Sequence, residues 1–166
     1  MSSEQTAYYE SPVGLLEIKV EDDYVTSILF SEEQKSGVTP HPLLTETIHQ
    51  LKQYFEKERT QFDFPIKQTG TDFQQRVWNE LLTIPFGRTL SYLQLSKKLG
   101  DAKAIRAVGT TNGKNKIAIV VPCHRVIGTD GSLTGYAGGL WKKKWLLDHE
   151  SNLIAKQQTL FETEPD

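Results

Sequence analysis

The only cysteine, Cys123, lies in a segment where a thiol, an imidazole and a guanidinium follow one another directly. The apolar residues 117–121 lead into Pro122, which predicts a strand that ends where the reactive groups begin. Cationic neighbours such as His124 and Arg125 lower the pKa of a thiol and favour the nucleophilic thiolate. On this local context, a nucleophile and a buried structural thiol are equally good interpretations.

Length and composition limit the class of protein. A chain of 166 residues fits one domain or two small ones with a sizeable core. One cysteine excludes an internal disulfide, and also a zinc site built from two or more thiolates of this chain. The first residues are polar and acidic, and no apolar run approaches the length of a membrane span. We therefore expect a cytoplasmic protein without membrane contact or bound metal.

The charge is divided unequally along the chain. The first half, residues 1–69, carries 6 basic and 12 acidic side chains, whereas the second half, residues 70–150, carries 12 basic and 6 acidic ones. Two differently solvated surfaces are the simpler interpretation. The more specific one is that the second half faces a polyanion such as DNA.

The first half has the pattern of a small α/β unit. Apolar residues alternate with polar ones over 16–20 and 24–30, which predicts a hairpin around a turn at 21–23. Apolar residues at helical spacing over 44–55 predict a helix, and residues 61–64 a further short strand. No reactive cluster is expected in this half.

The second half contains clear helix starts. Thr71 with Gln74 and Ser91 with Gln94 form two capping boxes, and Asp101 can cap a third helix. Two short helices joined by a glycine-containing turn are typical of a helix-turn-helix, although many helical hairpins bind nothing. The later helix of this pair is basic, which favours DNA binding.

A glycine-rich loop follows the cysteine segment. Five glycines within residues 128–139 predict a backbone that approaches another group closely or adopts positive φ. Tyr136 in this loop offers an aromatic face on which a base can stack. The spacing matches no phosphate-binding motif.

Taken together, these residues resemble the O6-alkylguanine-DNA alkyltransferases. The most specific part is the sequence Pro122-Cys123-His124-Arg125-Val126, and further blocks occur in family order through most of residues 70–150. They are Thr71-Asp72-Phe73-Gln74, Ile84-Pro85-Phe86-Gly87, Arg106-Ala107-Val108-Gly109, Asn112-Gly113-Lys114-Asn115, Leu133 to Leu140 and His149-Glu150. Residues 1–69 match less sharply.

The resemblance implies a fold of two domains and a tail. Residues 1–69 would form an α/β domain, a small sheet plus a helix of ribonuclease H-like type. Residues 70–153 would form a mostly helical, winged-helix or helix-turn-helix-like DNA-binding domain that carries the cysteine, and residues 154–166 a flexible tail.

The resemblance also implies the chemistry. Cys123 would accept the alkyl group of O6-alkylguanine, and of O4-alkylthymine, in one irreversible displacement after the nucleotide is flipped from the duplex, without a cofactor. His124 would deprotonate the thiol through a water molecule, and Glu150 would orient the imidazole. Asn115 would tie the active-site segment to the recognition helix, while Tyr92 would help to turn out the nucleotide and protonate the departing guanine.

The implied partner is double-stranded DNA containing O6-alkylguanine, bound through the minor groove by a monomer that can cluster along it. Arg106 would fill the gap left by the flipped base. The other implied DNA contacts are Lys103, Ala107, Gly109, Thr110, Tyr92 and Arg125. The implied substrate pocket consists of Tyr136, Val126, Ala137 and Asn112.

Some positions depart from the family pattern. Lys116 follows Asn115 where proline is common, and we expect it to loosen the turn without affecting the chemistry. Ala137 replaces a serine found in some members, which leaves backbone amides as donors to the base.

Two alternative functions explain less of the sequence. A winged-helix regulator or lesion sensor would leave Cys123 without a role, and a cysteine hydrolase would leave the basic helix without one.

Overall fold

Three antiparallel strands in the order β1-β2-β3 form the sheet of the first half. They are β1 (Glu4–Ser11), β2 (Gly14–Glu21) and β3 (Tyr24–Ser31). The coordinates are a computed structural model that describes residues 3–35 and 37–163, with side chains described as far as residue 153. The predicted hairpin is confirmed: Asp22 and Asp23 both have positive φ, 52° and 63°, and connect β2 to β3 in a two-residue turn.

Strand β1 was not predicted, because its polar ends conceal a short apolar stretch around Ala7. In the structure Ala7 lies opposite Ile18 of β2, which in turn lies opposite Ile28 of β3. All three side chains are buried. They form a row across one face of the sheet, as the two-residue repeat of a strand requires.

Helix α1 (Pro42–Phe55) covers this face, in agreement with the predicted helix. Pro42 stands at its first turn, where the missing N–H costs nothing, and His41 Nδ1 accepts from Leu43 N at 3.0 Å. Leu51 and Tyr54 are fully buried in the core that the sheet and helix share.

Two predicted strands are wrong. Residues 61–64 form no strand, and β3 is met instead by a single bridge between Val25 and Ile66. Residues 117–121 are mostly turn, because only Ile117 bridges to β3 and Ile119 has a φ of 73°. Lys116 and Ala118 still exchange backbone hydrogen bonds with Ile28, at 2.8 and 2.9 Å, so β3 anchors the chain just before the cysteine.

The second half is mostly helical. Its elements are α2 (Asp72–Leu81), β4 (Leu90–Ser91), α3 (Tyr92–Lys98), α4 (Ile105–Gly113), β5 (Val126–Ile127) and α5 (Leu140–Thr163). Both predicted capping boxes are present, at Thr71 and Ser91. Asp101 caps a short 3₁₀ turn that leads into α4, so the third helix begins later than predicted.

Helices α3 and α4, with the turn between them, form a helix-turn-helix. Gly100 takes a φ of 89° in the turn between them, a conformation that favours glycine. The Trp78 indole of α2 donates to Thr111 O of α4 at 3.1 Å, and the parallel pair β4–β5 joins the start of α3 to the residues after the cysteine.

Helix α5 continues well past the predicted domain end. It extends to Thr163, so residues 154–163 of the predicted tail are helical, and residues 164–166 lie outside the described part of the chain. None of the helices in the described residues is both long and apolar enough to span a membrane.

Candidate active site

Cys123 lines a cavity of about 180 Å³ between the two halves of the chain. Phe30, in β3, contributes from the first half, Asn112 and Asn115 lie at and just beyond the end of α4, and Tyr136 belongs to the glycine-rich loop. The thiol-bearing residue is only 8% exposed. The cavity is therefore a recess in which a single sulfur can meet a small ligand.

The cysteine opens a 3₁₀ turn, Cys123–Arg125, and does not end a strand. Cys123 N–H donates to Val121 O at 2.8 Å, and Arg125 N–H donates to Pro122 O at 3.0 Å. Three residues per turn separate consecutive side chains by about 120°. Cys123 can thus line the cavity while the side chains of His124 and Arg125 both reach the same carboxylate.

That carboxylate belongs to Glu150 in α5, which is 1% exposed and accepts four hydrogen bonds. His124 Nε2 lies 2.8 Å from Oε2, and the Arg125 guanidinium binds both oxygens, at 2.8 and 3.0 Å. The Tyr54 hydroxyl donates to Oε2 at 2.6 Å. Burial alone raises the pKa of a carboxyl, but His124 and Arg125 outweigh it and hold the pKa of Glu150 well below its usual range.

Tyr54 is a site residue that sequence reasoning missed. It lies on α1, so the expectation that the first half contributes nothing to the reactive cluster is wrong. The available signal was its place on the apolar face of a helix, one turn after Leu51. A tyrosine in such a place needs a partner for its hydroxyl.

His124 is fully buried, with its two ring nitrogens in different surroundings. Since the ionised Glu150 can only accept, the imidazole proton lies on Nε2. Nδ1 has no hydrogen-bond partner among the described residues. Burial lowers the pKa of His124, and Glu150 opposes this only in part. The ring is therefore neutral at neutral pH and offers Nδ1 as a proton acceptor.

His124 and Arg125 were predicted to lower the pKa of the thiol as cationic neighbours, and this prediction is wrong. Arg125 is bound to Glu150 and His124 is neutral, so burial raises the pKa of Cys123. The Asn115 amide and the charge of Lys143 counteract this increase without overcoming it. The resting group is a thiol that needs a base before it can attack.

Lys143 was also missed by sequence reasoning, because it is the middle one of three consecutive lysines. Its side chain is fully buried, and Nζ donates to Thr134 O at 2.8 Å. Burial lowers its pKa, while the Cys123 thiolate raises it. The neighbouring Lys144, by contrast, is exposed and pairs with Asp148.

Two asparagines form hydrogen bonds to the backbone of the cysteine turn and of the residues just before it. Asn115 Nδ2 donates to Val121 O at 2.8 Å, and its Oδ1 accepts from Ile117 N at 3.1 Å. Asn112 Nδ2 donates to Cys123 O at 3.3 Å. These bonds tie the turn to the end of α4.

The cavity wall offers polar atoms for a ligand. The Tyr136 hydroxyl and Asn112 Oδ1 are buried without partners among the described residues. Burial raises the pKa of Tyr136 well above its ordinary value, so its phenol stays a neutral donor. Ala137 lines this cavity, whereas Val126 does not: it is buried in β5, where it pairs with Leu90.

Most of the predicted DNA contacts share the exposed surface of α4 and its lead-in turn. They are Lys103, Arg106, Ala107 and Thr110, all exposed. Gly109 is half-buried against the ring of Tyr92, which begins α3. Arg125 is not part of this surface, because its guanidinium is buried on Glu150 and on Ile84 O at 2.8 Å. Its predicted DNA contact is therefore wrong.

Comparison with known proteins identifies the family. Residues 72–152 match the model of the 6-O-methylguanine DNA methyltransferase DNA-binding domain, and residues 6–68 match that of its ribonuclease-like domain. The chain belongs to the 6-O-methylguanine DNA methyltransferase family. This confirms the predicted order of an α/β domain and a helical DNA-binding domain.

Relatives of this methyltransferase are similar along most of their length. The methylated-DNA–protein-cysteine methyltransferase of Mycobacterium tuberculosis is 44% identical over 158 residues, covering 92% of this chain and 96% of the relative. The constitutive enzyme of Bacillus subtilis is 44% identical over 151 residues, covering 85% and 92%. A crystal structure of the M. tuberculosis O6-methylguanine methyltransferase superposes with a TM-score of 0.84 at 42% identity, covering 96% of this chain and 99% of that one. A further M. tuberculosis structure, in complex with DNA, has a TM-score of 0.81 at 44% identity over 90% of this chain and 93% of that one.

Within the described part of this methyltransferase, no three His, Cys, Asp or Glu side chains come together in a way that could hold a metal ion. The groups that could take part in a reaction are the single thiol, the His124–Glu150–Arg125 cluster and the unpartnered phenol of Tyr136.

Proposed function

We propose that this chain repairs alkylated DNA by moving the alkyl group from O6 of guanine to Cys123. Family membership and the position of the only cysteine, on the wall of a cavity, support this assignment. The S–C bond forms as the C–O6 bond breaks, and guanine leaves with the electron pair. The thioether is stable, so each molecule acts once. O4-alkylthymine presents the same C–O bond to the same thiol.

The observation that carries the proposal is the chain of contacts from Glu150 to the thiol-bearing turn. Glu150 fixes the proton of His124 on Nε2, which leaves Nδ1 as the acceptor next to Cys123 in the sequence. No direct bond joins the two side chains among the hydrogen bonds of the described residues, so a water molecule relays the proton. The base is needed because burial disfavours the thiolate.

The remaining groups act on the DNA and on the leaving guanine. Tyr92 begins α3, and Lys143 Nζ lies over its ring, 5.9 Å from the ring centroid. We assign to Tyr92 the proton that neutralises the departing guanine. The exposed Arg106 enters the stack in place of the flipped nucleotide, and Tyr136 donates to the bound base.

Intact mass spectrometry tests the assignment directly. After incubation with a duplex oligonucleotide containing one O6-methylguanine, each protein molecule should gain one methyl group, and repaired guanine should plateau at one equivalent. Peptide mapping should place the methyl group on Cys123. Continued turnover or a methyl group on another residue would refute the proposal.

Replacing Arg106 should separate nucleotide flipping from chemistry. Arg106→Ala should slow repair of duplex DNA about tenfold to hundredfold, since a stacking contact with a base contributes ~1–3 kcal/mol. Reaction with free O6-benzylguanine needs no flipping and should keep its rate. Both rates are measured as single-turnover alkylation.

Lys103→Ala is the matched control, because Lys103 is also exposed, on the turn leading into α4, and would contact a phosphate. It should weaken DNA binding without changing the rate from the bound complex. Equal loss of both reactions in Arg106→Ala would show that the arginine supports the fold instead.

A further inference from the structure

Gln68 lies in the segment that joins the two halves, and its side-chain amide reaches the turn that carries Asn115. Its Nε2 donates to Asn115 Oδ1 at 3.0 Å, and its Oε1 accepts from Lys116 N at 2.6 Å. Its own carbonyl accepts from Gln75 Nε2 at 2.5 Å, so the backbone is also tied. Both ends of one half-buried amide are therefore bound to two consecutive residues, Asn115 and Lys116.

We propose that Gln68 is a positioning residue for Cys123 that acts by locking the side-chain amide of Asn115. The inference rests on the proposed role of Cys123 as the alkyl acceptor. Gln68 touches neither the thiol nor the substrate cavity in this arrangement.

The orientation of Asn115 decides which of its ends faces the thiol. Oδ1 accepts from Gln68 Nε2 and from Ile117 N, while Nδ2 donates to Val121 O. Rotating the amide by 180° would place an oxygen against the Val121 carbonyl and a donor against two donors. Asn115 and Cys123 line the same cavity, and the locked amide lowers the pKa of the thiol.

The same glutamine accounts for Lys116. We expected this residue to loosen the turn, but its N–H is bound by Gln68 Oε1 and its carbonyl accepts from Ile28 N at 2.8 Å. A proline at this position would have no N–H to satisfy. Gln68 therefore takes up the additional donor that a lysine introduces, and the turn is held on both sides.

The other groups that act on the thiol are independent of Gln68. Lys143 from α5 is held by Thr134, His124 in the same turn is held by Glu150, and Tyr136 faces the thiol from the glycine-rich loop. Replacing Gln68 changes none of their hydrogen bonds. A change in thiol reactivity in such a variant therefore reports the Asn115 contact.

Gln68→Met removes both hydrogen bonds at similar side-chain volume. Alkylation of the free protein by iodoacetamide over a pH series, followed by intact mass, reports only Cys123, because the chain has no other cysteine. We expect the profile to move about one pH unit upward, so that the rate near neutral pH falls about tenfold. A merely structural role would lower stability and leave the profile unmoved.

Gln75→Met is the matched control, since it removes the bond to the Gln68 backbone and leaves Asn115 untouched. Its rate should stay within about twofold of the wild type, the usual range for surface changes. An unmoved profile in both Gln68→Met and Gln68→Ala overturns the inference.

Lys116→Pro, added to Gln68→Met, separates the two contacts of the glutamine. If Gln68 acts through Asn115, removing the Lys116 N–H does not restore the wild-type profile. Full restoration would mean that only closure of the turn matters, and would overturn the assignment to Asn115. Iodoacetamide requires no DNA, so a wild type that takes no methyl group from alkylated DNA would refute the repair function without affecting this result.

Discussion

Cys123→Ala will bind duplex DNA containing O6-methylguanine and leave the methyl group where it is. The chain has no second thiol to take over, so transfer should fall by a factor on the order of 10⁶, the scale on which loss of a nucleophile acts in a hydrolase. Transfer is measured as methyl groups gained per protein by intact mass. Binding is measured with the same oligonucleotide and should stay near the wild-type affinity.

Cys123→Ser is the companion variant, because it keeps the shape of the side chain and replaces sulfur with a less acidic and less nucleophilic oxygen. A hydroxyl is far harder to ionise than a thiol, so the neutral His124 cannot activate it to the same extent. It should be as inactive as the alanine variant. Substantial transfer by either variant would show that the acceptor is another residue.

Glu150→Gln should damage both stability and chemistry. A glutamine oxygen cannot replace two carboxylate oxygens that together receive four hydrogen bonds, and its amide would face the Arg125 guanidinium. Leaving a buried cation without its partner costs about 3–5 kcal/mol, which chemical denaturation should detect. Loss of the group that fixes His124 should slow alkyl transfer about 10²- to 10⁴-fold.

Tyr54→Phe is the milder control on the same carboxylate. It removes one donor and leaves His124 and Arg125 in place, so we expect a loss of about 1.5–3 kcal/mol and little change in transfer rate. If Glu150→Gln were as stable and as active as Tyr54→Phe, the four-bond cluster would have no special role.

The two variants should also differ in acid. The pKa of Glu150 is lowered in the folded chain, so its contribution to stability is complete above the unfolded value of about 4.3 and is lost as the pH falls. The lowered pKa of His124 acts in the same direction, with stability decreasing below about pH 6.5. As the pH falls below about 4.3, Glu150→Gln should therefore lose less stability than Tyr54→Phe, which retains the carboxylate.

Local signals predicted the elements that local chemistry controls. The capping boxes at Thr71 and Ser91 mark two helix starts correctly, because both of their hydrogen bonds lie within four residues. The two-residue turn at Asp22 and Asp23 is likewise set by a short stretch of chain. The predictions failed where a strand needs a partner that is distant in the sequence. Residues 61–64 and 117–121 have strand-like composition, but β3 forms only single bridges on this side, to Ile66 and Ile117.

The surroundings of the thiol illustrate the same limit. Adjacent letters suggested that His124 and Arg125 would charge it, yet a 3₁₀ turn directs both side chains to Glu150. The cation that does act on the thiol, Lys143, comes from a helix twenty positions later, with nothing in its local sequence to distinguish it from Lys144.

The sequence by itself determined the single nucleophile, the basic second half, the helix-turn-helix and the family resemblance, because each depends on residue types and short spacings. Only the tertiary structure decided which groups control that nucleophile. Tyr54 lies 96 positions from Glu150 and Gln68 lies 47 from Asn115, yet each is joined to its partner by a direct hydrogen bond. The pKa of a buried group depends on burial and on neighbours brought together by packing, and no sequence pattern contains those distances.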